Sequence, residues 1–124
     1  MSKDTLRVPA YLSHILQAIE RINRYTEDMD EAAFLQDERT QDAVIRNFEI
    51  IGEASRNIER QHLDFATEHP DVPWGIAYEM RNALVHGYFK VDLEIVWRTI
   101  QNDLPGLEQQ IQSLLEKLQS DAET

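Results

Sequence analysis

A chain of 124 residues with 42% hydrophobic content has the length of one domain and can bury a substantial core. Its 23 acidic and 12 basic side chains give a net charge of −11, which argues against an extended surface for phosphate backbones, since such surfaces neutralise phosphates. The absence of cysteine excludes disulfides and thiolate metal sites, and no apolar run reaches the roughly eighteen residues of a membrane span. We therefore expect one cytoplasmic domain, residues 1–124, with no membrane association.

The first half of the chain predicts two long amphipathic helices. Apolar residues recur at three- and four-residue steps from about Leu6 to about Met29, and Glu31 to Leu35 follow as one short apolar turn. Asp37 is placed to cap a second long helix from about Glu38 to about Gln61. The expected buried stripes are Leu12, Ile15, Leu16, Ile19 and Ile22 in the first helix, and Ala43, Val44, Phe48, Ile51, Ala54, Ser55 and Ile58 in the second.

The second half predicts two further helices. Pro73 marks a third helix start, and this helix should stop near His86, because the glycine that follows can adopt the left-handed conformation that ends helices. Asp92 can cap a last helix, which we expect Pro105 to kink after Leu104 and whose end should fray after about position 120. No alternating strand pattern appears. The periodicity therefore predicts an all-α, up-and-down bundle of four to five helices, whose last apolar stripe can pack internally or against a second copy.

The carboxylates and histidines outside the third helix give no metal-site pattern. Glu49 and Glu53 lie one helical turn apart, but nothing else at metal-ligand spacing accompanies them, so we interpret them as part of a solvated or salt-bridged face. His62 and His69 match no zinc spacing, and His14 falls on the polar side of its helix. The sequence therefore predicts no metal and no cofactor.

Four polar residues near the end of the third helix form the candidate site. Asn82 and His86 are four residues apart and share a helix face, whereas Arg81 and His86 are five apart and diverge by about 140° on an ideal helix. Arg81 and His86 can converge only if the helix distorts at Gly87, or if a second copy supplies one of them. Tyr88 adds a phenol to the same stretch.

This set of side chains suits cleavage of RNA. A histidine can move protons to or from the 2′-hydroxyl and the leaving oxygen, while an arginine stabilises the charge that accumulates on phosphate. Spacing alone leaves a structural alternative open, in which Arg81 pairs with a carboxylate, Asn82 caps a helix, and His86 and Tyr88 pack at a helix end.

Several segments resemble one known family. The pattern of arginine, four residues, histidine, one residue and tyrosine from Arg81 to Tyr88 resembles the motif of HEPN-domain ribonuclease toxins of the HepT type. The similarity continues over most of the chain, in residues 41–54, 73–74, 91–97 and 103–105. Ala83 is the one visible departure, because relatives often carry a larger, basic residue there, and this bears on RNA affinity.

The resemblance implies both a fold and a function. It implies a single HEPN domain that forms a homodimer, in which two motifs share one cleft and cut RNA without a metal, with Arg81 and His86 catalytic and Asn82 organising the site. It also implies a type VII-like toxin–antitoxin pair. The antitoxin would be a minimal nucleotidyltransferase that silences the toxin by transferring AMP to Tyr88.

Two other functions compete with the ribonuclease. The chain can be a non-catalytic module that uses the same residues as a nucleotide-binding or antitoxin-like partner of the nucleotidyltransferase. It can also be a purely structural helical dimer, for which Arg81→Ala would alter neither toxicity nor partner binding. Expression of the chain alone discriminates the first alternative from a toxin, because only a toxin should arrest growth.

Overall fold

The computed structural model of the protein describes residues 7–75 and 92–123, and over these residues the chain is helical without a β-strand. The all-α prediction is thereby confirmed. The helices are α1 (Val8–Thr26), α2 (Glu31–Leu35), α3 (Glu38–Gln61), α4 (Leu63–Glu68), α5 (Leu93–Asn102) and α6 (Leu104–Glu123). No helix of the described ranges is long and apolar enough to cross a membrane.

The pair α1 and α3 forms the centre of the structure. The Tyr11 hydroxyl, near the start of α1, donates to Gln61 Oε1 at the end of α3 at 2.7 Å, so the two helices run antiparallel. Each fully buried aliphatic side chain contributes about 1.5–3 kcal/mol relative to an exposed one. The buried apolar residues of the pair are Tyr11, Leu12, Ile15, Ala18, Ile19 and Ile22 of α1, and Val44, Phe48, Ile51, Ala54 and Ile58 of α3.

Aspartate side chains fix where α2 and α3 begin. Asp30 accepts a hydrogen bond from the Ala33 amide at 2.8 Å, and Asp37 accepts one from the Thr40 amide at 3.1 Å. Each bond satisfies one of the amide donors that a helix leaves free at its start. The predicted cap at Asp37 and the predicted bounds of α3 are confirmed.

The short helix α2 is held by an aromatic contact and a hydrogen bond. Five residues are too few for a stable isolated helix, so α2 depends on tertiary packing. Its only buried side chain, Phe34, packs on Trp97 of α5 with ring centroids 5.3 Å apart, and Gln41 donates to the Phe34 carbonyl at 2.9 Å. The contact joins the first half of the chain to the second.

Two features differ from the sequence prediction. The last helix is two helices separated at Asp103, rather than one helix kinked after Leu104, and Pro105 lies in the first turn of α6. Proline has no amide hydrogen to continue the bonding pattern of α5, but the first turn of a new helix does not need one. The additional helix α4 lies between His62 and His69, where the sequence predicted no helix.

Candidate functional site

The predicted site lies outside the described residues, and so does Gly87, where the helix is expected to distort. The predicted site residues are Arg81, Asn82, His86 and Tyr88. Their roles and their mutual geometry therefore stay predictions. The structure describes the two points at which the chain enters and leaves residues 76–91, and the cavities formed by the surrounding helices.

Trp74 fixes the point of entry. Its indole is 5% exposed, its Nε1 donates to the His69 carbonyl at 3.2 Å, and its ring lies 6.3 Å from the ring of Phe65. The next residue, Gly75, lies beside the end of α3, because a Cβ built there would be 4.0 Å from Glu59 Oε2. A buried aromatic ring with its polar atom satisfied is a rigid attachment. The chain therefore leaves the core toward residue 76 from a fixed position.

Asp92 fixes the point of exit. Its carboxylate accepts from the amides of Glu94 at 3.1 Å and of Ile95 at 3.2 Å, which confirms the predicted cap of α5. The helix it starts buries Val96 and Trp97 in the core. The segment that carries the predicted site is thus tied at both ends to well-packed elements.

A cavity of about 650 Å³ lies between α3 and the junction of α5 with α6, and we call it the α3–α6 cavity. Its apolar wall includes Phe48 and Leu104, and Gln110 donates from its rim to the Asp71 carbonyl at 2.9 Å. The polar side chains among its described lining residues are carboxylates, amides and a hydroxyl, without a basic group. Such a lining does not favour a phosphate. The described lining residues are Phe48, Ile51, Asp71, Pro73, Thr99, Asn102, Asp103, Leu104, Gly106, Leu107, Gln109 and Gln110.

A second cavity, of about 240 Å³, lies between α1 and α3, and we call it the α1–α3 groove. It contains the paired carboxylates Glu49 and Glu53, which the sequence analysis interpreted as a solvated face, together with the guanidinium of Arg46. Among the described residues, no group of three His, Asp or Glu side chains is placed to hold a metal ion. The groove is lined by Tyr11, His14, Arg46, Glu49, Ile50, Glu53, Ala54 and Asn57.

Periodicity gave only part of the signal for this groove. It assigned His14 to the exposed side of α1, and that residue is exposed. Arg46, Glu49, Glu53 and Asn57 recur at three- and four-residue steps, so they share a face of α3. The sequence pattern did not reveal that this face meets His14 across a groove, because that requires the packing of α1 on α3.

The chain is similar to proteins named as ribonucleases. It is 44% identical over 104 residues to a probable ribonuclease HepT of Thermococcus cleftensis, covering 84% of this chain and 92% of that protein. It is 42% identical over 118 residues to a Methanocaldococcus jannaschii protein whose name pairs a gamma-glutamylcyclotransferase with a proposed RNase. The second match covers 95% of this chain and 50% of that protein.

The fold is similar to that of a solved toxin. The structure resembles a tri-AMPylated HEPN toxin of Shewanella oneidensis, solved in complex with an MNT antitoxin, with a TM-score of 0.65 and 25% sequence identity. The likeness covers 94% of this chain and 99% of that one, and it confirms the predicted HEPN bundle. The family described as ribonuclease HepT-like matches residues 15–114. Because this match covers most of its length, the chain belongs to the HepT-like ribonuclease family.

Proposed function

We propose that this chain is the toxin of a HepT-type, type VII-like toxin–antitoxin pair and that it cleaves RNA without a metal ion. The observation that carries the proposal is the likeness over 94% of the chain to a HEPN toxin solved with its MNT antitoxin. The ribonuclease names of its relatives support the reaction class. The Arg81-to-Tyr88 motif supplies side chains suited to that reaction.

Arg81 and His86 carry the chemistry in this proposal. His86 transfers protons to or from the 2′-hydroxyl and the leaving oxygen, and Arg81 stabilises the charge that builds up on the phosphate. Asn82, one turn before His86, orients the imidazole. The fixed ends of the segment at Trp74 and Asp92 support this arrangement, because reacting groups need to be held within fractions of an ångström.

The active form is a homodimer with a composite cleft. Arg81 and His86 diverge on an ideal helix, so a second copy provides the simplest way to bring an arginine beside a histidine. Two copies of Arg81, with Lys90 nearby in sequence, make the cleft locally basic within a chain of net charge −11. The acidic exterior then limits which RNAs reach the cleft.

The antitoxin silences the site by transferring AMP to Tyr88. AMP attached to a phenol adds a negatively charged phosphate beside the cleft, which repels RNA and blocks access. The AMP groups in the name of the Shewanella oneidensis toxin support this mode of control. The partner is therefore a minimal nucleotidyltransferase.

Purified protein tests the catalytic assignment. We expect RNA cleavage to persist in EDTA, and His86→Ala and Arg81→Ala each to lower the rate at least about a hundredfold, the usual size for loss of an acid–base or charge-stabilising group. Arg98→Ala is the matched control, because Arg98 is an exposed arginine on α5 that pairs only loosely with Glu94, at 3.9 Å. Full activity in folded His86→Ala would remove this residue from the mechanism.

Growth on induction tests the toxin role. Wild-type protein expressed alone is expected to arrest growth, and Arg81→Ala and His86→Ala to relieve the arrest. Growth of the wild-type culture at the uninduced rate, with soluble protein present, would instead favour the non-catalytic partner.

Intact mass tests the modification. Co-expression with a minimal nucleotidyltransferase should add AMP to the wild-type chain, and Tyr88→Phe should lose one AMP group. Tyr25→Phe is the matched control, because Tyr25 is an exposed tyrosine on α1. An unchanged number of AMP groups in Tyr88→Phe would place the modification elsewhere.

A further inference from the structure

The α1–α3 groove combines an apolar floor with polar walls. Ala54 is buried and Ile50 is half-buried, and both line the groove. The polar groups of Arg46, Glu49 and Asn57 line the same space. Flat heterocycles with polar edges require such a combination, because their faces are apolar while their rims form hydrogen bonds.

The volume sets an upper limit on the ligand. Pockets for drug-sized molecules span about 300–1,000 Å³, and the groove, at about 240 Å³, is just below that range. A single nucleobase or a group of similar size is therefore the largest unit that it can enclose. A base pair or a helical duplex is too large to enter.

The charges in the groove disfavour a phosphate. Two carboxylates, Glu49 and Glu53, line the space with one guanidinium, that of Arg46. A phosphate there would meet more negative than positive charge. A neutral ligand that donates hydrogen bonds to a carboxylate and accepts them from a guanidinium is favoured instead.

Arg46 and Glu49 are available for such a ligand. They are one turn apart on α3, yet they form no ion pair with each other in the part of the chain that the structure describes. Their Cβ atoms are about 5–6 Å apart at this spacing, and both side chains are long enough to reach opposite edges of one ring. The groove therefore presents a donor pair and an acceptor pair side by side.

Guanine is the base that matches both pairs. Its O6 and N7 accept two parallel hydrogen bonds from an arginine, and its N1–H and N2–H groups donate two to a carboxylate. In adenine and cytosine, the amino group adjoins a ring nitrogen that only accepts hydrogen bonds, and uracil has a single ring N–H between two carbonyls. None of the three therefore presents two adjacent donors to a carboxylate. Among the four bases of RNA, guanine makes the largest number of hydrogen bonds with these side chains.

A ring contact is available for the face of the base. His14 is exposed at the groove, and its ring lies 6.4 Å from the ring of Tyr11 at an interplanar angle of 84°. This edge contact with a buried tyrosine limits the orientations of the imidazole. Single-stranded RNA is read by stacking unpaired bases on such rings and by hydrogen bonds to their edges.

We propose that the α1–α3 groove binds one unpaired guanine of the RNA, with Arg46 on O6 and N7, Glu49 on N1 and N2, and His14 against the base. This proposal rests on the proposed function, since it names a specificity subsite for the same RNA substrate. The groove then selects where the ribonuclease cuts, and the cleft performs the cleavage.

Nucleotide binding tests the groove independently of catalysis. Full-length protein is titrated with GMP, AMP, CMP and UMP, which share a phosphate, so any difference reports on the base. We expect GMP to bind about tenfold more tightly than the others, and Glu49→Gln to abolish the preference. Glu20→Gln, an exposed glutamate of α1 outside the groove, is the matched control and should keep it. Thermal unfolding of both variants checks that they are folded.

Cleavage of matched single-stranded RNAs completes the test. The RNAs differ only at one guanine, which is replaced by inosine or by adenine. We expect the cleavage rate to fall in the order guanine, inosine, adenine, since inosine lacks the N2 amino group. Cleavage with equal rates and no GMP preference would overturn the subsite and leave the ribonuclease standing. A GMP preference without any cleavage would support the subsite and overturn the proposed function. Loss of a co-purified protein partner in Glu49→Gln, without a GMP preference in the wild type, would make the groove a protein contact and overturn the proposal.

Discussion

The cap at Asp92 gives a quantitative test of how the scaffold holds the predicted site. Asp92 accepts hydrogen bonds from the amides of Glu94 and Ile95, at 3.1 and 3.2 Å, where α5 begins. The helix has only ten residues, so its start depends on this side chain more than that of a long helix would. Asp92→Ala removes both bonds and the negative charge, whereas Asp92→Asn removes only the charge.

The expected losses follow from these two contributions. Replacing a capping aspartate by alanine costs about 1 kcal/mol, and loss of a negative charge at a helix start costs about 0.3–1 kcal/mol more. We therefore expect Asp92→Ala to lower the free energy of unfolding by about 1–2 kcal/mol, and Asp92→Asn by less than about 1 kcal/mol. At a urea dependence of about 2 kcal/mol per molar, Asp92→Ala shifts the midpoint down by about 0.5–1 M.

Urea unfolding followed by circular dichroism measures these shifts. Asp37→Ala is the matched control, because Asp37 caps α3 through one bond to the Thr40 amide and lies far along the chain from the predicted site. Asp37→Ala should lose no more stability than Asp92→Ala, because Asp37 makes one capping bond and starts a longer helix. If the exit point at Asp92 positions His86, only Asp92→Ala should also slow RNA cleavage at a temperature where both proteins are folded.

An unchanged urea midpoint in Asp92→Ala would refute the reasoning about the cap. Equal cleavage rates in Asp92→Ala and Asp37→Ala would leave the cap intact as a stabilising feature and refute its positioning role.

Three further substitutions probe the packing. Phe34→Ala should lower the free energy of unfolding by about 3–5 kcal/mol, because Phe34 is fully buried against Trp97. A loss below about 1 kcal/mol, measured by urea unfolding, would contradict this packing. Trp74→Phe should lower the free energy of unfolding by about 1–2 kcal/mol in the same assay, since it removes the hydrogen bond to the His69 carbonyl and part of a buried ring. An unchanged urea midpoint would show that this bond contributes nothing to stability. Asn47→Leu should change the free energy of unfolding by less than about 1 kcal/mol, because it removes the buried Asn47 Oδ1, which has no hydrogen-bond partner among the described residues, but also the bond that Nδ2 donates to the Ala43 carbonyl at 2.8 Å. A loss above about 3 kcal/mol would contradict this balance.

The sequence predicted helices where the local signals agreed. A capping aspartate at residue 37 and a stripe from Ala43 to Ile58 predicted α3 with the bounds that the structure has, although Ala43 is only half-buried. The break at Asp103 was misplaced because Pro105 is compatible with two outcomes, a kink within one helix or the first turn of a new one. The helix α4 was missed, because six residues between two histidines are too short to establish a period.

The site was only partly accessible to sequence reasoning. The motif from Arg81 to Tyr88 is compact along the chain, so a linear pattern was enough to single it out. The α1–α3 groove combines His14 with Arg46 and Glu49, more than thirty residues away along the chain. No linear pattern joins them, because their proximity depends on the antiparallel packing of two helices.

The packing of α1 against α6 has a consequence for the order of events during synthesis. Asn23 of α1 donates to Glu108 of α6 at 3.3 Å, and these partners are 85 residues apart in the chain. A ribosome adds about 5–20 residues per second, so α1 waits about 4–17 s for the helix that covers it. A nascent chain therefore stays incompletely folded over that interval.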